Sequence, residues 1–144
     1  MIAASSEYLE GADSCLALLM TYRDLIAWQR AMRLAEEVYA LCRELPVEER
    51  FGLSAQMRRS VRSVAANIAE GYGRRRTGEY RRFLAFANGS LLELETDLEL
   101  AARTGLLPQL RVAPLIQLSS EVGRILAGLR RRLRSSRASG GPDA

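Results

Sequence analysis

The sequence predicts an all-α protein, an antiparallel up-down-up-down four-helix bundle. Three observations predict it. Four segments carry apolar residues at intervals of three and four, and in the first these alternate as a seven-residue repeat. Glycine and proline punctuate the chain between those segments. No stretch alternates with the period of two that a half-buried strand needs. Amphipathic helices joined by short connections pack antiparallel to their chain neighbours.

The first helix is expected over 24–45, with Leu25, Trp28, Met32, Ala35, Tyr39 and Cys42 as its stripe. Asp24 is the expected N-cap, and Pro46 discourages continuation. The second spans 54–72 with Leu53, Met57, Val61, Val64 and Ile68. It follows a turn at "VEER" and Gly52, with Ser54 as cap and Gly71 and Gly73 as its stop. The third spans 78–103 behind Thr77, on Tyr80, Leu84, Ala87, Leu91, Leu94, Leu98 and Ala101, and Gly105 ends it. The fourth spans 110–134 on Leu115, Leu118, Val122, Ile125 and Leu129, with Pro114 in its first turn or at a kink. Ile26, Leu34, Val38 and Leu41 on the first helix, and Phe83, Phe86 and Leu92 on the third, lie beside the stripes. So wide an apolar face either thickens the core or makes a second interface.

The bundle accounts for residues 22–134. Residues 135–144, "SSRASGGPDA", read as a disordered tail. Residues 1–21 read as an extension, either non-native with Met20 as the true start, or a short amphipathic arm using Leu16, Leu18 and Leu19. The start has no basic n-region and carries Glu7, Glu10 and Asp13, which suits a signal peptide poorly. No run of 18 apolar residues exists, so no membrane span is expected and a cytoplasmic location is.

The 144 residues suffice for one domain with one core, and 48% hydrophobic with 26% charged residues is globular composition. There is no histidine, and Cys15 and Cys42 lack metal-ligand spacing; Cys42 is expected as a small core residue. No nucleophile–base pair or metal set is visible. "GYGRRRTG" lacks the preceding strand and the lysine of a phosphate-cradling loop. The expectation is a non-enzyme with no cofactor and no metal.

All 21 basic residues are arginine, whose planar fork matches phosphate oxygens. The net charge of +4 conceals segregation. Residues 58–82 hold eight arginines against Glu70 and Glu79, and residues 124–137 hold six arginines and no acid. Up-down topology brings the end of the second helix, the start of the third and the end of the fourth together. The expected nucleic-acid-binding set at that arginine-rich end is Arg58, Arg59, Arg62, Arg74, Arg75, Arg76, Arg81, Arg82, Arg130, Arg131 and Arg132. Arg81 and Arg82 oppose the dipole of the third helix, so helix stability does not explain them. Tyr72 and Tyr80 flank the set and could stack on bases. A protein contact or a solvated surface is the alternative. The acids of "ELETDLE" (Glu93, Glu95, Asp97 and Glu99) flank the third stripe, and salt bridges to arginines of neighbouring helices or subunits are expected of them. Asn67 and Glu70, three apart before the glycine stop, read first as a structural corner.

"YRDLIAWQRAMRLAEEVYAL", the "P-x-E-E-R-F-G-L-S-A-Q" pattern, "NIAEGYGR" and "FLAFANGSLLELETDLELA" follow one another in a specific order and spacing. Over about residues 22–130 the chain thereby resembles the four-helix bundle family also called the 23S rRNA-intervening-sequence proteins. The resemblance implies an antiparallel four-helix bundle and a homo-oligomer, a ring-shaped pentamer foremost. It suggests association with RNA, since some relatives are encoded within bacterial 23S rRNA genes. It is distantly similar to the accessory variability determinant of diversity-generating retroelements. That similarity implies RNA or DNA and a nucleic-acid-processing protein as partners. The motif positions carried over are Asn67, Glu70, Gly71, Ser90, Glu93 and Glu95, with no catalytic role implied. Ala65 stands where members often have proline, so their local kink is not implied here.

Two expectations follow. One is a non-enzymatic homo-oligomer binding nucleic acid, RNA foremost, through its arginine end. The other is a structural or adaptor oligomer whose arginines make subunit or protein contacts.

Overall fold

The structure, a computed structural model, describes residues 20–138. Four helices are present among them: α1 (Ile26–Cys42), α2 (Leu53–Tyr72), α3 (Thr77–Arg103) and α4 (Gln109–Ala138). Short 3-10 turns at Tyr22–Asp24 and Val47–Glu49 precede α1 and α2. No strand occurs among the described residues. Cys15 and residues 1–19 of the extension lie outside them. So do residues 139–144 of the expected tail, whose first residues, to Ala138, continue α4 instead.

Cross-helix contacts fix the topology. Ser60 on α2 meets Glu93 on α3, and three residues later Ser63 meets Ser90. Glu95 on α3 meets Ser119 on α4, and four residues earlier Leu91 lies against Gly123. Arg30 of α1 pairs with Glu121 of α4, and Glu44, just past the end of α1, pairs with Arg111 of α4. In each case one number rises as the other falls, so each pair of neighbours is antiparallel. Helix α1 packs on α2, α2 on α3, α3 on α4 and α4 back on α1, and among the described residues the backbones of diagonal helices do not approach one another.

Two expected caps are replaced. Asp24 accepts the Thr21 N–H at 2.7 Å while Thr21 Oγ1 accepts the Arg23 N–H, a capping box on the 3-10 turn. Helix α1 then starts one residue later, behind Leu25. At α2, Glu49 rather than Ser54 satisfies the first turn, accepting the Leu53 N–H at 3.0 Å. Ser54 is buried instead, and its carbonyl accepts the thiol of Cys42. Gly105 (φ +74°) closes α3 in the left-handed conformation that only glycine adopts cheaply, with Leu106 N–H bonded to Ala101 O. Helix α2 runs unbroken through Ala65, and Pro114 is accommodated inside α4.

The core differs from the expected stripes by a rotation. On α1 its centre is Ala27, Ala31, Leu34, Val38 and Leu41, while Leu25, Trp28, Met32 and Tyr39 are only half-buried at its edge. On α4 it is Val112, Leu115, Ser119, Val122 and Leu126, with Leu118, Ile125 and Leu129 at the edge. Both series have the same alternation of three and four, so spacing alone cannot rank them. The α2 stripe is buried at Met57, Val61, Val64 and Ile68, and the α3 stripe from Leu84 to Ala101. Cys42 is a core residue.

Candidate nucleic-acid interface

The antiparallel register gathers the end of α2, the 73–76 connection, the start of α3 and the last turns of α4 at one end of the bundle. Segments 70–82 and 130–134 together carry nine arginines against Glu70 and Glu79. Arg132 lies close enough to Tyr80 to act on its hydroxyl electrostatically, which ties α4 to the first turn of α3.

These arginines are not equivalent. Arg74 donates to Glu70 Oε1 at 2.8 Å and lays its guanidinium over Phe83, 4.6 Å from the ring centre. Arg82 covers Phe86 at 5.4 Å. Arg75, Arg76, Arg131 and Arg132 are exposed, as is Arg134, which sequence reasoning left out of the set. Arg81 and Arg130 are half-buried, each with a buried Nε that has no hydrogen-bond partner. Among the described residues none of these seven has a carboxylate partner.

Arg58, Arg59 and Arg62 are not brought to this end. A helix rises about 1.5 Å per residue, so Arg62 lies roughly 18 Å down the axis from position 74. Arg59 binds Gln56, and Arg62 rims a groove of about 630 Å³ between α1 and α2, floored by Trp28, Met32, Tyr39 and Ala65. Closeness in sequence placed these three in the patch; helical rise separates them from it.

The tyrosines are engaged. Tyr72 and Tyr80 pack edge to face with centroids 6.3 Å apart, and the Tyr72 hydroxyl donates to the Met20 carbonyl at 3.3 Å. Burial, then Tyr72, pushes the Tyr80 hydroxyl above the ordinary tyrosine value.

The motif residues behind the basic end act as a polar seam. Asn67 Nδ2 donates to the Ser63 carbonyl at 2.8 Å and to Ser63 Oγ at 3.0 Å, and Ser90 Oγ donates to Ser63 Oγ at 2.8 Å. Glu93 accepts from Ser60 at 3.4 Å, and Glu95 accepts from the buried Ser119 at 2.6 Å. Glu93 and Glu95 thus bind serines of neighbouring helices rather than the expected arginines of those helices. A serine hydroxyl fits the narrow space between close-packed backbones where a guanidinium does not. Glu99 reaches Arg103 on its own helix at 3.9 Å. Asp97 keeps one buried carboxylate oxygen without a partner; desolvation, then Glu93, pushes its carboxyl above the usual range. Gly71 permits a close approach of α2 and α3, because a Cβ there would lie 2.9 Å from both Phe83 Cβ and Tyr80 Cδ2. Sequence reasoning missed Ser60 and Ser63, which lie beside the α2 stripe, and Ser119, which interrupts the buried face of α4. Serine at or beside a stripe position is the available signal for such a seam.

The described residues hold no cluster of metal-ligating side chains and no helix long and apolar enough to cross a membrane. The profile of the 23S rRNA-intervening sequence protein family matches residues 23–128, a span that stops short of Arg130. No curated protein matches the chain. The crystal structure of a Bacteroides thetaiotaomicron protein of unknown function from the S23 ribosomal protein family is similar in fold, with a TM-score of 0.69 and 24% identity. The similarity covers 73% of this chain and 98% of that one.

Proposed function

Since the chain belongs to the 23S rRNA-intervening sequence protein family, we propose that it is a non-enzymatic, cytoplasmic homo-oligomer that binds nucleic acid, RNA foremost, through its arginine end. One observation carries this reading: seven arginines converge at one end of the bundle with no carboxylate partner among the described residues. Guanidiniums crowded together repel, and Arg76, at the N-cap of α3, opposes the dipole of that helix, so an external anion stabilises such an arrangement. Phosphate diesters supply that anion repeatedly, and arginine's fork binds them in bidentate fashion. Repetition of the patch by rotational symmetry, a pentamer foremost, multiplies the field.

A second reading is a structural or adaptor oligomer. The half-buried Trp28, Met32 and Tyr39 of the α1–α2 groove favour it, as do the exposed Leu92 and Leu100 on α3, beside Glu95 and Glu99. Two unlike surfaces on opposite sides of one bundle suit a head-to-tail contact, which closes into a ring when the rotation allows.

The test is fluorescence anisotropy with a structured RNA over a salt series, beside the variant Arg75→Ala/Arg76→Ala/Arg131→Ala/Arg132→Ala, with oligomer mass measured on the same samples. Steeply salt-dependent binding that the variant loses at unchanged mass supports the nucleic-acid reading. Absence of binding at about 50 mM salt, where counterion release favours contact most, leaves the adaptor reading. A variant that loses its mass points there too.

A further inference from the structure

Resting on the nucleic-acid reading above, we infer that the arginine end takes a double-stranded segment, gripped by its phosphates, and not a single strand held by its bases. Proteins that hold single strands combine a basic groove with aromatic faces on which bases stack. At this end the aromatic rings already contact one another or a guanidinium.

Its four aromatic rings are already engaged. Tyr72 and Tyr80 pack edge to face, and the Tyr72 hydroxyl is bound to Met20 O. Phe83 and Phe86 pack edge to face at 5.7 Å, with Arg74 over the first ring and Arg82 over the second. A guanidinium thus already covers one face of each phenylalanine. Trp28 sits in the α1–α2 groove against Tyr22. The clefts along the α1–α4, α1–α2 and α3–α4 flanks are lined by none of residues 74–82 or 130–134.

What the end does offer is guanidiniums on two supports. Arg75, Arg76 and Arg81 come from the connection and α3; Arg130, Arg131, Arg132 and Arg134 come from α4. Neighbouring helix axes lie about 8–10 Å apart, so guanidiniums on the two supports can reach more than one phosphate of a duplex at once, with no base needed as a partner. A-form RNA is recognised in this manner, by shape and by contacts to phosphate and sugar rather than to bases.

The experiment compares a duplex RNA of about 20 base pairs, enough to span two successive minor grooves, with an oligouridylate of equal phosphate number. Both are measured by anisotropy with the full chain at matched salt. The duplex is expected to bind about tenfold tighter, with a salt slope that falls by about one in Arg81→Gln. Phe86→Leu, at an exposed position, and Tyr80→Leu are expected to leave both affinities within about twofold, since stacking on a base is worth far more than that. Helical content by circular dichroism guards the comparison. Single-strand binding as tight as duplex binding, or a tenfold loss in Phe86→Leu with unchanged helicity, overturns the inference while nucleic-acid binding stands. Failure of both RNAs to bind overturns the inference together with the reading beneath it.

Discussion

The hydroxyl of Ser90 on α3 donates to that of Ser63 on α2 across 2.8 Å, and the Asn67 amide donates to the same oxygen. This contact lies within the polar seam of a helix pair whose backbones approach closely at Gly71. It makes the Ser63–Ser90 pair a register mark, because a slip of one turn between the helices would separate Ser90 from Ser63, while Asn67 holds Ser63 from within α2.

Removal of one member therefore costs stability. Ser90→Ala and Asn67→Ala are each expected to lower it by about 1 kcal/mol, the net worth of a partly buried hydrogen bond. Paired with Ser63→Ala, either change should add much less than the sum of the single effects. Denaturant unfolding of the double-mutant cycle checks this, and strict additivity would rule the shared network out.

Gly71 and Gly89 separate a packing glycine from an idle one. A Cβ at 71 would collide with Phe83 and Tyr80, whereas nothing lies within 4 Å of a Cβ at 89. Gly71→Ala is predicted to destabilise by about 1–3 kcal/mol, as overpacking does. Gly89→Ala is predicted to stabilise by up to about 1 kcal/mol through helix propensity. Thermal unfolding of the two variants should move Tm in opposite directions; movement in the same direction refutes the assignment.

Asp97 makes stability fall as pH rises. Its folded carboxyl titrates above the usual value because of desolvation first and Glu93 second. The native state therefore holds the proton more tightly than the unfolded chain, and stability declines from about pH 4 upward through the raised value. Asp97→Asn should be more stable than the parent at pH 7, with the advantage fading toward about pH 3. A variant of equal or lower Tm at pH 7 would remove Asp97 as the cause.

Glu44 has the opposite sign. Arg111 donates to it from Nε and Nη2, at distances from 2.8 to 3.1 Å, and these bonds hold its carboxyl below the usual range. The contribution is present above about pH 4.3 and is lost as pH falls through the lowered folded value. In Arg111→Ala, carbon NMR should find the Glu44 carboxyl titrating in the ordinary glutamate range. An unchanged titration would mean that the pair does not persist in solution.

Much of the architecture was legible in the sequence. The four helices, their glycine stops and their connections follow from spacing and punctuation, and the sharing of one end by the 74–82 and 130–134 segments follows from counting turns. Capping was less legible: Asp24 and Glu49 each bind a backbone N–H a few residues away, and sequence does not choose among the acceptors near a helix start. Inclusion of Arg58, Arg59 and Arg62 in the patch overlooked helical rise. The tyrosines offered for stacking are occupied by each other, a fact about ring orientation that spacing does not carry.

By itself, then, the sequence determined periodicity, and periodicity is a local property: 3.6 residues per turn turn any three-four alternation into a stripe. It does not fix the rotation of a helix about its own axis. On α1 the series through Trp28 and the series through Leu34 are equally regular, and on α4 the buried series passes through Ser119. Only packing against two neighbours selected the Leu34 and Ser119 faces, because small residues such as Ala27, Ala31 and Gly71 let backbones approach where bulky ones would hold them apart. That choice of rotation turned Trp28 into a groove and Ser63 and Ser119 into seams.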